Sequence, residues 1–61
     1  MSNRVKINSA VRFVDPWDKV SIVGGEVIEI GESSIAVNYQ GSVVVLAPVA
    51  DENGLYKVYQ F

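Results

Sequence analysis

The groups able to do chemistry in this 61-residue chain are carboxylates, hydroxyls, a few cations and a small set of aromatic rings, with no His and no Cys. Lack of imidazole removes the usual general acid-base near neutral pH, and Ser9, Ser21, Ser33, Ser34 and Ser42 have no His to activate them. Glu26, Glu29 and Glu32 are closely spaced. On a regular strand, however, Glu26 and Glu29 point to opposite faces and Glu32 falls in a loop, so the set reads as solubilising charge. Zinc sites built from thiolate and imidazole are excluded. Asp51-Glu52-Asn53-Gly54 offers oxygen ligands without the spacing of a calcium loop, and Val23-Gly24-Gly25 lacks the glycine spacing and following Lys of a phosphate loop. The expectation is a protein that is not an enzyme, with no catalytic, cofactor-binding or metal-ligating residues.

What remains is binding. Arg4, Lys6, Arg12 and Lys19 all precede Val20, whereas Val20 to Tyr56 holds Glu26, Glu29, Glu32, Asp51 and Glu52 with no base. Arg4, Lys6, Arg12 and Lys19, with Trp17 and Tyr39, offer phosphate contacts and stacking faces for RNA or DNA. A net charge of −2 and a pI near 4.7 speak against that use, because phosphate neutralisation supplies most non-specific affinity. A protein contact is favoured by the run Val43-Val44-Val45-Leu46-Ala47-Pro48-Val49-Ala50. Its side chains divide into Val44 and Leu46 on one face and Val43, Val45 and Ala47 on the other, with Leu55, Tyr59 and Phe61 as a second stripe.

The elements that must position these groups are short strands. One domain of this length lies near the lower limit of independent folding and leaves about 3 to 5 kcal/mol of net stability. No apolar stretch approaches the roughly 18 residues needed to cross a bilayer, and the N-terminus lacks the apolar core of a signal peptide, so no membrane partner and a cytoplasmic location are the default. Val5 and Ile7 flank Lys6, and Val11 and Phe13 flank Arg12, which reads as one or two short half-buried strands. Asp15-Pro16-Trp17-Asp18 predicts a type I turn or a single helical turn. Ser21 to Ile30 reads as a strand with a bulge or bend at Gly24-Gly25. Gly31 to Ser34 reads as a loop, Ser34 to Gln40 as an alternating strand, Gln40-Gly41 as a tight turn, and Ser42 to Pro48 as a strand. Asp51 to Gly54 turns the chain into a last strand, Leu55 to Phe61. A strand as uniformly apolar as Val43 to Ala50 is expected to be covered on both faces, by the barrel itself or by another molecule.

Five strands with glycines at the bends predict an all-β, five-stranded, mainly antiparallel barrel over the whole chain. The order of a Val-Arg-Phe strand, a Pro-Trp loop, a Gly-x-Val strand, an alternating strand and a Val-rich strand resembles SH3-like barrels, including the E-type barrels of photosystem I and the plasmid type II dihydrofolate reductases. The resemblance covers roughly residues 11 to 50. Gly41-Ser42-Val43 and Pro48-Val49-Ala50 are similar to the ends of the reductases' Gly-Ser-Val-Gln-Ile-Tyr-Pro-Val-Ala segment. That family's catalytic Gln and Tyr fall at Val44 and Leu46, which cannot make the required hydrogen bonds, so the resemblance implies the fold and not the activity. The expected function is a non-catalytic protein-binding or assembly module, self-associating or a small component of a larger complex. Its contact surface would combine Trp17, Tyr39, Val44, Leu46 and Tyr59, with Arg12 and Lys19 as orienting charges at the rim. An RNA- or DNA-binding module is the alternative.

Overall fold

A computed structural model describes residues 5–60. Within them β1 (Ala10–Val14), β2 (Ile22–Ile30), β3 (Ile35–Tyr39), β4 (Ser42–Ala50) and β5 (Leu55–Gln60) close into one barrel, each strand beside its neighbour in sequence. Four junctions are antiparallel, and β1 meets β5 in parallel. The parallel closure follows from the strand count, because an up-and-down run with an odd number of strands ends in the direction in which it began. The expected all-β, five-stranded, mainly antiparallel barrel is therefore observed. No helix among the described residues is long and apolar enough to cross a membrane.

Local chemistry sets the turns. Gln40 and Gly41 take φ values of 53° and 82°, the two positive values that a two-residue hairpin loop demands if its twist is to match the flanking strands. At the opposite end of the barrel, Asp51 Oδ1 accepts from the N–H groups of Asn53 (2.8 Å) and Leu55 (3.0 Å), and Gly54 completes the reversal with φ 80°. Asp15 organises the β1–β2 connection as a single turn: its carbonyl accepts from the Lys19 N–H at 2.8 Å, and Lys19 ends the turn at φ 61°.

Two expectations about the first half of the chain are corrected. Val5 to Asn8 forms no strand; Asn8 sits at φ 74° and donates its N–H to the Val27 carbonyl at 2.8 Å, so the segment crosses β2 irregularly. The bulge in β2 lies between Val27 and Glu29, not at Gly24-Gly25, which pairs regularly with Arg12 and Val11. Gly25 serves a different need. A Cβ there would lie 3.1 Å from the Asn38 carbonyl oxygen, 3.1 Å from Phe13 Cε1 and 3.3 Å from Val37 Cγ2, so the missing side chain lets β2 lie tight against the core.

The core is Val11 and Phe13 from β1, Val27 from β2, Ile35, Val37 and Tyr39 from β3, and Val44 and Leu46 from β4. Val23, Tyr56 and Val58 pack against it, as does Val5. Strand β4 alternates despite its apolar composition: Val44 and Leu46 have no exposed surface, while Val43 is 59% exposed and Val45 and Ala47 are half-buried. Its second face is thus not covered by the barrel, which removes the first of the two covers expected for so apolar a strand. Between Leu46 and Ala50 the register with β5 breaks, and Pro48, which has no N–H to give a ladder, occupies the break.

Candidate interaction site

At the barrel end formed by the β1–β2 and β3–β4 turns, a chain of aromatic contacts leads from the core to the surface. Phe13 meets Tyr39 edge to face with centroids 5.6 Å apart, and Tyr39 meets the tilted ring of Trp17 at 5.8 Å. One carboxylate aligns them. Asp15 Oδ1 accepts from the Trp17 N–H at 2.7 Å and the Asp18 N–H at 3.3 Å, while Oδ2 accepts from the Tyr39 hydroxyl at 2.9 Å. That bond, then desolvation, then the charges of Asp15 and Asp18, push the Tyr39 hydroxyl above its usual range. Asp18 holds the following residues in the same way: Oδ1 accepts from the N–H groups of Val20 (2.7 Å) and Ser21 (2.9 Å), and Oδ2 from the Ser21 hydroxyl (2.6 Å). The Ser21 hydroxyl first, then these two amides, hold the Asp18 carboxyl below the ordinary carboxylate range. Trp17 remains 56% exposed and closes the barrel end, the arrangement that places Tyr39 in the core.

A second surface lies on the outside of β3, β4 and β5. The two-residue hairpin sets Asn38 opposite Val43 and Ala36 opposite Val45, so these four share the outward face. Ala47 continues it along β4. On β5, Val58 packs against the core and Tyr59 therefore turns outward, 55% exposed, beside the residues paired with Leu46 and Val45. Neither β3 nor β4 carries a charged residue. On the β2 side the strip is bordered by Glu26 opposite Asn38 and Glu29 opposite Ala36. The bulge corrects the expectation that these glutamates face opposite ways: one inserted residue returns Glu29 to the outer face that Glu26 occupies.

The contact surface expected from the sequence is consequently not assembled as one patch. Val44 and Leu46 are interior and present nothing to a partner; Tyr39 is buried and anchored to Asp15. Trp17 and Tyr59 are exposed, on the barrel end and the outer wall respectively. Arg12 points outward from β1, its guanidinium beside Gly54, and Lys19 stands in the turn after Trp17. Sequence reasoning groups Val43, Val45 and Ala47 on one face but leaves them out of the contact surface in favour of Val44 and Leu46, and it misses Ala36. The signal for all four is the hairpin register, since Val43 must share the face of polar Asn38 once Gln40-Gly41 is a two-residue turn. No family model matches the chain, and comparison with curated proteins and with solved structures returned no match.

Proposed function

We propose that this chain is a non-catalytic, SH3-like assembly module that associates with a second copy of itself through the outer wall of β3, β4 and β5. The observation that carries the reading is a strip without charge on β3 and β4, in which Val43 is exposed and Ala36, Val45 and Ala47 are half-buried, flanked on β5 by exposed Tyr59 and, at its edge, Lys57, on a barrel whose core is already complete without it. In a two-fold interface each patch meets its own copy, so a charged face repels itself and an uncharged one does not. Tyr59 supplies the aromatic anchor that such contacts favour, and the acids of β2 remain at the rim. The five-strand closed barrel supports the SH3-like assignment.

Its size bounds its strength. A strip three strands wide and about five residues long spans roughly 14 by 17 Å, about 240 Å² on each partner and below the size of stable interfaces, so weak association, in the high micromolar to millimolar range, is expected. Sedimentation equilibrium tests it: the parent should exceed its 6.7 kDa monomer mass, and Val43→Glu should return to that mass while keeping its fold.

A further inference from the structure

The closure of the barrel is short. Among the described residues β1 pairs with β5 only at Arg12 with Leu55 and Phe13 with Tyr56, and after Val14 the chain leaves the sheet into the Asp15 turn. Strand β5 runs on from Lys57 to Gln60, held on its other side by β4. Every second residue of a strand turns its N–H and C=O to one side, so past Val14 the β1-facing side of β5 offers backbone groups for another strand. A groove of about 370 Å³ lies in this place, walled by Val14, Pro16, Tyr56 and Val58, with Lys19 and Lys57 on its lining. The acid of the same lining, Asp15, has both oxygens turned to its own loop and to Tyr39.

We propose that this groove binds an extended acidic peptide, which enters beside Tyr56 to Val58 and continues as an added strand along β5 toward Gln60, past the end of β1. Four residues at about 3.3 Å each give a docking length near 13 Å, enough for two side chains on the groove face and two carboxylates reaching the lysines. Charge complementarity selects the occupant. The chain is net acidic, yet this groove brings two of its five Lys and Arg residues together. A peptide fits better than an oligonucleotide because the walls are aliphatic apart from Tyr56, while the exposed Trp17 ring lies against Tyr39. The site uses the β1-facing edge of β5, whereas the self-association strip uses its outer face; the two meet at Tyr59, and neither proposal depends on the other.

The test is amide NMR on the full chain, titrated with an acetylated, amidated peptide of alternating glutamate and valine. Expected are shift changes centred on Lys19 and on Tyr56 to Gln60, loss of binding when alternate peptide nitrogens are N-methylated, and weakening at raised salt. Lys57→Gln and Lys19→Asn should each weaken binding about two- to fivefold, the range for exposed ion pairs. Asn is chosen at 19 because it tolerates the positive φ found there. The proposal is overturned if the peptide causes no shifts at millimolar concentration, if the N-methylated peptide or a lysine-valine peptide binds equally well, or if a short oligothymidylate moves these amides and the acidic peptide does not.

Discussion

Replacing Leu46 by Ala separates the inside of the barrel from its outside. Leu46 is fully buried between β3 and β5, opposite Ile35 and Val58, so truncation removes apolar surface and leaves a cavity that this small barrel can close only in part. Core Leu→Ala changes cost about 2 to 5 kcal/mol, while a domain of this size holds about 3 to 5 kcal/mol in total. For a loss of about 3 kcal/mol the midpoint of thermal unfolding falls by roughly 12 to 24 °C, at about 4 to 8 °C per kcal/mol. On the outer face of the same strand, Val43 is 59% exposed, and Val43→Ala should change stability by no more than about 0.5 kcal/mol. Thermal unfolding followed by the fluorescence of Trp17, the single Trp, reads both variants, because that ring leaves Tyr39 on unfolding. The work is done at low micromolar protein so that weak association adds little. If Val43→Ala lowers the midpoint as far as Leu46→Ala does, or if Leu46→Ala moves it by less than about 4 °C, the assigned inner and outer faces of β4 are wrong.

Gly25→Ala should cost about 1 to 3 kcal/mol in chemical denaturation, since its Cβ would press on Phe13, Val37 and the Asn38 carbonyl. Gly24→Ala, whose nearest neighbour is the Val11 carbonyl at 3.6 Å, should be neutral or gain slightly. The raised Tyr39 hydroxyl contributes stability that is complete below the ordinary value of 10.0 and is lost as pH rises through its higher folded value. Alkaline unfolding should therefore weaken in its pH dependence in Tyr39→Phe, and an unchanged alkaline profile would refute the Asp15 bond. The depressed Asp18 carboxyl contributes stability that is present above 3.8 and is lost as pH falls through its lower folded value, so Asp18→Asn should flatten the acid limb of the same measurement.

Strands β3, β4 and β5 are legible in the sequence because the two-residue alternation of β3 and the turn residues that flank all three act locally. The hairpin at Gln40-Gly41 shows this best, as its φ values are those the residue pair suggests. Long-range packing is less legible. Gly24-Gly25 reads as a bend, but Gly25 is required by the approach of Phe13 and Val37, which no local pattern reveals. The bulge at Ile28 has no glycine to mark it, and it alone decides that Glu26 and Glu29 share a face. Uniform apolar composition hides the alternation of β4, so residue types alone put Val44 and Leu46 on a contact surface when the register with Val37 and Ile35 places them inside. The Lys19 and Lys57 groove joins residues far apart in sequence through the parallel closure, and only the stagger of β5 past the end of β1 creates it.

Solution mass tests the central claim most directly. Sedimentation equilibrium from micromolar to millimolar protein should show the parent rising from 6.7 kDa toward twice that mass, with Val43→Glu remaining at 6.7 kDa and folded by circular dichroism. A parent that stays at 6.7 kDa throughout would contradict self-association through the β3–β4–β5 wall.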